Sequence, residues 1–436
     1  MRNRNQFALF RSRRFLPLFL TQFLGAFNDN FFKSALVMLI TYRLAERGGY
    51  DPRILVNIAG GVFILPFFLF SATAGQLADK YERSFLVQIV KIAEILVMGG
   101  AALGFYLEHV RLLMVVLFLM GAQSTFFGPL KYSILPQHLD ESELISGNGL
   151  IQMGTFLSIL TGTIFGGLFI LRGGGVYLVS VLVVGIAAAG WWASRYIPET
   201  RPVFPDRKLS ANIVKDTLKI VTDVVPHKDI FLSVLGISWF WLVGATFLAQ
   251  FPTYARLVIG ADEQVATLFL AVFSVGIGLG SMACNSLLKG EVSGRHVPLA
   301  AIAMSAASVL LYFASKRPPL APGVPEMGIW AFFVSWRNTA VLVCLFAISF
   351  SGGLYIVPLY AIIQSRTDEA RMAGVIACTN VTDSLFIVLS AVGSSLLLAL
   401  GFSIPQIFLS MAVLTVAAAF FIRSAVRGQL KRRNAL

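Results

Sequence analysis

Apolar runs long enough to cross a lipid bilayer recur along nearly the whole chain, and they decide what this sequence can become. About 20 apolar residues in helical form span the ~30 Å hydrocarbon core of a membrane. The runs show no alternation of polar and apolar residues, so they do not read as barrel strands, and helices remain to satisfy the backbone in lipid. They fall at 15–43, 54–77, 84–107, 112–130, 144–171 and 175–194, then at 229–255, 264–288, 298–315, 338–363, 372–399 and 404–422. The expected fold is an all-α membrane protein with twelve transmembrane helices in two six-helix bundles. Composition agrees, because with 57% hydrophobic residues among 436 there is too little polar surface to cover a soluble domain.

One long polar stretch, Arg195 to Asp229, carries Pro198, Pro202, Pro205 and Pro226. It divides the chain into an N-terminal six-helix bundle at 1–194, a cytoplasmic linker at 195–228 and a C-terminal six-helix bundle with a basic tail at 229–436. Within the linker, Leu209 to Val225 reads as a surface helix along the membrane face, with Ile213, Leu218, Val221 and Val225 on one side. Most of the 35 Lys and Arg residues fall on the side shared by the two termini, which the positive-inside rule makes cytoplasmic. Arg2, Arg4, Arg11, Arg13 and Arg14 open the chain; Arg423, Arg427, Lys431, Arg432 and Arg433 close it. This juxtamembrane charge suits anionic headgroups, so membrane lipid rather than nucleic acid is the expected partner. The first run is full length with charge at its centre, unlike a cleaved signal peptide.

The residues of catalysis are scattered. Cys284, Cys344 and Cys378 lie in separate apolar runs, and His109, His138, His227 and His296 sit at loops or run ends. No metal, cofactor or enzymatic role is expected.

Chemistry must therefore sit on the polar residues that the membrane should reject. A charged side chain at a helix centre costs about 2.5 to 3.5 kcal/mol on insertion scales, so one that persists faces the bundle interior. Asp29 is such a residue, flanked by Asn28 and Asn30, with Lys33 one turn further on the same face. Lys91 and Glu94 repeat the pattern in the third run; Asn380 and Asp383 place a second acid in the eleventh without a cation nearby in sequence. Lys131 ends the fourth run in Gly128-Pro129-Leu130-Lys131-Tyr132. For each group, mutual neutralisation or snorkelling competes with a substrate-binding or gating role. Gln123, Gln152, Gln250 and Asn285 read as interhelical hydrogen-bonding groups, and Thr161-Gly162-Thr163-Ile164-Phe165-Gly166-Gly167 as a small-residue helix contact.

After the second run, Gly75-Gln76-Leu77-Ala78-Asp79-Lys80-Tyr81-Glu82-Arg83 resembles the signature loop of the major facilitator superfamily. Glu82 stands where that signature has its second Gly, and Ser84 where it has its final basic residue. The resemblance implies the major facilitator fold and makes Gly75, Asp79, Lys80 and Arg83 cytoplasmic-gate residues. In the second half, Lys289-Gly290-Glu291 with Arg295 keeps a degenerate echo. A narrower resemblance rests on Gln22 to Asn30, Gly128 to Leu135 and Gly352 to Leu359, which look like the bacterial lysophospholipid transporter family. That family implies a charge network at Asp29, Lys131 and Asp383. Its Arg of the seventh span has no counterpart before Arg256, so Lys33 or Lys91 is the expected substitute. The implied activity is movement of a lysophospholipid, such as lysophosphatidylethanolamine or lysophosphatidylglycerol, from the outer to the cytoplasmic leaflet of the bacterial inner membrane for reacylation. The chain also resembles the transporter half of fusions with an acyltransferase and an acyl-carrier synthetase, which makes such an enzyme an expected partner or fused domain. Two other readings stay open, a proton-coupled exporter using Asp29 or Asp383, and an anchor presenting lipid to an acyltransferase.

Overall fold

The computed structural model describes residues 6–44, 51–206, 208–210, 212–317 and 325–433, with side chains at 44, 52, 53 and 420–433 excepted. Arg2 and Arg4 lie outside the described residues, and the basic side chains of the tail lie among those exceptions.

The expected runs become helices α1 (Leu16–Leu39), α2 (Pro52–Lys80), α3 (Arg83–Tyr106), α4 (Val110–His138), α5 (Leu144–Ile170) and α6 (Gly175–Ser194). The linker contributes α7 (Ile213–Val224), and α8 (Lys228–Thr253), α9 (Glu263–Leu288), α10 (Val297–Ala314), α11 (Trp336–Arg366), α12 (Glu369–Ala399) and α13 (Ile404–Arg433) follow. Ten of these are long and apolar enough to cross a membrane. The two other expected spans coincide with α1, whose polar centre Asn28–Asn30 and Lys33 lowers its hydropathy, and with the shorter apolar stretch Ile404–Ala419 of α13. Leu96, Val181 and Leu299 are among the large apolar side chains these helices leave exposed, as lipid solvation allows.

Helix α4 overruns its expected end at 130 by eight residues, although Pro129 and Pro136 lie inside it. Pro136 has no N–H to give the Tyr132 carbonyl, and Gln364 of α11 supplies the donor instead, its Nε2 at 3.1 Å. Helices α1 and α8 loosen into π turns at Ile40–Leu44 and Tyr254–Ile259.

The chain forms two compact units, Met1–Gly147 with Leu157–Pro226 and Gln364–Val381, and Asn148–Phe156 with His227–Ile363 and Thr382–Leu436. In the first, α2 packs on α4 and α7, α3 on α4 and α6, and α1 on α6. Its core is built from Phe32, Leu36, Met98, Phe105, Met120 and Val183. A Cβ at Gly162 would lie 2.6 Å from the Phe27 carbonyl and one at Gly166 would collide with the Phe31 carbonyl, so the small residues let α5 meet the α1 backbone directly. In the second unit α13 packs on α10 and α8, and α8 on α9. There Phe247 stacks on Phe408 at 4.3 Å between centroids, and Phe251, Phe269 and Phe273 join them. These rings are core filling.

Helix α7 is amphipathic on two sides. Asp216 and Val224 are buried, while Val214, Leu218 and Val225 stand exposed. The expected stripe is therefore an outward one, and Ile213 belongs to a different face, five residues and about 140° from Leu218.

Candidate functional site

The first unit holds a polar network sealed inside apolar helices. Lys91 and Glu94, 0% and 1% exposed, form an ion pair at 2.6 Å within α3. Such a pair survives burial only when hydrogen bonds satisfy what remains of its charge. Here Glu94 Oε1 accepts from Asn28 Nδ2 at 3.2 Å, and Glu94 Oε2 accepts from Gln123 Nε2 at 3.0 Å. Asn28 also donates to the Val183 carbonyl of α6 at 3.1 Å. The Lys91 ammonium lies 4.8 Å from the centroid of the Phe127 ring, and Gly25 leaves it room, since a Cβ there would strike Nζ.

The network extends to the acid at the centre of α1. Ser124, beside Gln123 on α4, donates to Asp29 Oδ2 at 2.5 Å and lies 3.3 Å from Gln123 Oε1. Four helices, α1, α3, α4 and α6, thus place both signs of charge at one level. Asp29 Oδ1 and Asn28 Oδ1 are buried with no hydrogen-bond partner among the described residues. Unmet acceptors of this kind are costly in hydrocarbon and mark a place where a donor can be received.

The other expected site residues take separate positions. Lys33 lies within the field of Asp29, and its ammonium sits 4.3 Å over the Phe63 ring. Asn30 turns back to the Ala26 carbonyl at 2.7 Å. Lys131 lies over its neighbour Tyr132 at 4.5 Å and meets no carboxylate among the described residues. Asn380, in the first unit, packs on Gly128, whose added Cβ would lie 2.6 Å from Nδ2. Asp383 belongs to the second unit, where Ser238 of α8 donates to its Oδ1 at 2.6 Å. Expected partners i and i+3 on α12 are thus divided between the two units.

The signature loop is a second cluster. Arg83, 0% exposed, donates from Nε to the Ala78 carbonyl at 3.1 Å and from Nη1 to the Ser133 carbonyl at 3.1 Å. Asp79, Glu82 and Glu369 supply the negative field around it. Gly75 sits where a Cβ would lie 3.0 Å from Ala377 Cβ, so α2 closes on the start of α12 within the first unit. Lys80 instead points to the Tyr81 ring at 5.7 Å.

Asn28, Gln123, Ser124 and Glu82 were not among the expected site residues. Adjacent polar residues in a span, Asn28-Asp29-Asn30 and Gln123-Ser124, were the available signal. Pair spacing within one helix hid it, because the network closes between helices.

Alongside the network lies an apolar cleft of about 360 Å³ between α2, α3 and α4, lined by Leu77, Ile89, Val90, Val97 and Phe126, with Gln123 as its polar member. Ligand sites occupy about 300 to 1,000 Å³. Among the described residues no cluster of His, Cys, Asp and Glu could hold a metal ion.

Membrane-crossing helices, a buried charge network and the signature loop define a multi-pass membrane transporter, and the chain belongs to the Major Facilitator Superfamily, whose profile matches residues 18–334. Its relatives include the lysophospholipid transporter LplT of Escherichia fergusonii, 25% identical over 415 residues that cover 94% of this chain and 92% of the relative. LplT of Escherichia coli is 24% identical over 413 residues, with the same coverage. In fold, the chain is similar to the human organic anion transporter MFSD10, with a TM-score of 0.76, 12% identity and coverage of 94% and 99% of the two chains. The proton:xylose symporter XylE gives a TM-score of 0.71 at 13% identity, covering 97% of each.

Proposed function

We propose that this protein is a lysophospholipid transporter that moves single-chain phospholipids, lysophosphatidylethanolamine among them, from the outer to the cytoplasmic leaflet of a bacterial inner membrane. One observation carries this reading. A buried network with both signs of charge adjoins an apolar cleft, and Gln123 belongs to both. A zwitterionic headgroup needs the first and an acyl chain the second. From Leu86 to Val97 the cleft follows α3 for roughly 17 Å, about half the ~30 Å hydrocarbon core and so about one leaflet. Relatives named lysophospholipid transporters, matched almost end to end, support the same substrate class.

In this reading the open acceptors Asp29 Oδ1 and Asn28 Oδ1 receive the ammonium of the headgroup. Lys131, which meets no carboxylate among the described residues, receives its phosphate. Transport follows alternating access between two six-helix halves, 1–194 and 229–436, joined by the linker at 195–228, with both termini cytoplasmic. Asp383 and Asn380 act in that exchange, and the loop of Gly75, Asp79, Lys80 and Arg83 gates its cytoplasmic side. The delivered lysolipid is then a substrate for an acyltransferase with its acyl-carrier synthetase, on a separate or a fused chain.

The test is transbilayer movement of labelled lysophosphatidylethanolamine in liposomes holding the purified chain, beside the diacyl lipid with the same headgroup. Movement of the lysolipid well above protein-free vesicles, with the diacyl lipid left behind, supports the reading. Equal rates with and without folded protein sink it. Proton-coupled export keeps one observation in its favour, the buried Asp29 Oδ1 that a proton would satisfy. A flux that follows an imposed pH gradient and ignores lysolipid selects it.

A further inference from the structure

One of the two residues that depart from the superfamily signature, Glu82, holds several groups around the signature loop at once. Its Oε1 accepts from the N–H of Ser84 at 2.9 Å, and its Oε2 from the N–H of Phe85 at 2.5 Å and the hydroxyl of Ser84 at 2.9 Å. These are the orphan donors at the start of α3, so Glu82 is its N-cap. A Gly at this position could cap nothing with a side chain.

The same carboxylate reaches the linker. Glu82 Oε1 also accepts from the N–H and the hydroxyl of Thr200, both at 2.7 Å. Thr200, 7% exposed, in turn accepts from the N–H of Arg83 at 2.9 Å. Three and four residues on, the N–H groups of Val203 and Phe204 both donate to the carbonyl of Asp79, at 3.1 and 2.8 Å. That carbonyl lies in the last turn of α2, where carbonyls have no partner within the helix. One short piece of linker therefore caps the end of α2 and the start of α3 together. Arg83, whose guanidinium reaches Ser133 of α4, hangs between the two caps.

We propose that Thr200–Phe204 is a strap across the Asp79–Arg83 loop and that Glu82 is its latch, a positioning residue that holds Arg83 in its buried place. The linker is then part of the gate. With the strap released, α2 and α3 lose caps together, so the loop is held or freed as a unit and not residue by residue. The effect on flux rests on the transport reading above; the strap itself does not.

Two measurements keep these apart. Glutamyl endopeptidase cuts after Glu199, beside the strap, and after the exposed loop residue Glu291, which serves as the internal reference. In the full-length, detergent-solubilised protein, Glu82→Gly, which restores the signature residue, and Thr200→Val, which removes one hydroxyl, each raise cutting after Glu199 at least tenfold while Glu291 is cut as before. Because both variants break the Glu82–Thr200 hydroxyl bond, the rate increases fall short of multiplying in the double variant. Glu82→Gln, which keeps an acceptor oxygen, lies between. In liposomes the maximal lysolipid flux falls severalfold in both single variants at unchanged half-saturating concentration. Cutting after Glu199 within twofold of the wild type in both, or rate increases that multiply in the double variant, overturns the strap. Faster cutting with unaltered flux keeps the strap but removes Glu82 from positioning the gate.

Discussion

At the residue scale the decisive group is Glu94, which holds Lys91, Asn28 and Gln123 at once. Lys91→Met strands a buried carboxylate and is expected to cost about 3–5 kcal/mol, read as a lowered thermal midpoint in detergent. Adding Glu94→Leu removes the stranded charge, so the double variant recovers much of that loss and still carries no lysolipid. Recovery of flux together with stability would mean that the pair only packs. Sequence spacing showed this pair, since i and i+3 positions on a helix meet. The same spacing set Asp29 beside Lys33, and here Ser124 on α4 and the Phe63 ring supply further contacts from other helices. Glu82 was visible only as a missing Gly; what it holds, Thr200, lies 118 positions away.

Glu82 also sets a pH expectation. Burial pushes its carboxyl up, but hydrogen bonds from Thr200, Ser84 and Phe85 outweigh that and hold it below its usual value. A depressed folded-state pKa means stabilisation that is full above the unfolded value of about 4.3 and is lost as pH falls through the folded one. The midpoint difference between wild type and Glu82→Gln is therefore constant from pH 8 to 6 and shrinks only under acid. A difference that instead shrinks between pH 8 and 6 would contradict the hydrogen bonding described.

At the element scale, α5 meets α1 through Gly162 and Gly166, and bulk at that contact is not absorbed by a flexible end because the facing atoms are backbone. Gly166→Leu is expected to cost about 1–3 kcal/mol by overpacking, or to prevent folding, whereas Gly99→Leu, with open space around it, changes little. Thermal midpoints of the two decide. The cleft makes a finer demand: Ala122→Phe puts a ring into it and should slow long-chain lysolipids several times more than short-chain ones. Equal slowing across chain lengths would move the acyl chain elsewhere. The small-residue motif was legible because it is local. The cleft was not, since three helices with ordinary apolar composition make it.

For the whole molecule, most of the fold was legible because lipid permits so little. Run length gave the helices, ten of which meet the criterion for crossing, while the polar centre of α1 both weakens its claim as a span and carries Asp29. Helix α4 runs past its expected end with Gln364 supplying the donor that Pro136 cannot give the Tyr132 carbonyl, a compensation that hydropathy does not register. What the sequence could not display is the grouping of Gln364–Val381 with the first unit and Asp383 with the second. It depends on contacts far apart in the chain.

The account stands on the network at Asp29 belonging to the lipid path. The most direct measurement is lysophosphatidylethanolamine flux through Asp29→Asn in liposomes, with folding checked by thermal midpoint. Losing the charge of one carboxylate that keeps its Ser124 hydrogen bond should leave the midpoint within a few degrees of wild type, since neutral hydrogen bonds contribute about 1 kcal/mol. The account predicts flux reduced at least tenfold in that folded variant. Wild-type flux in folded Asp29→Asn would contradict it and leave the buried charges as packing alone.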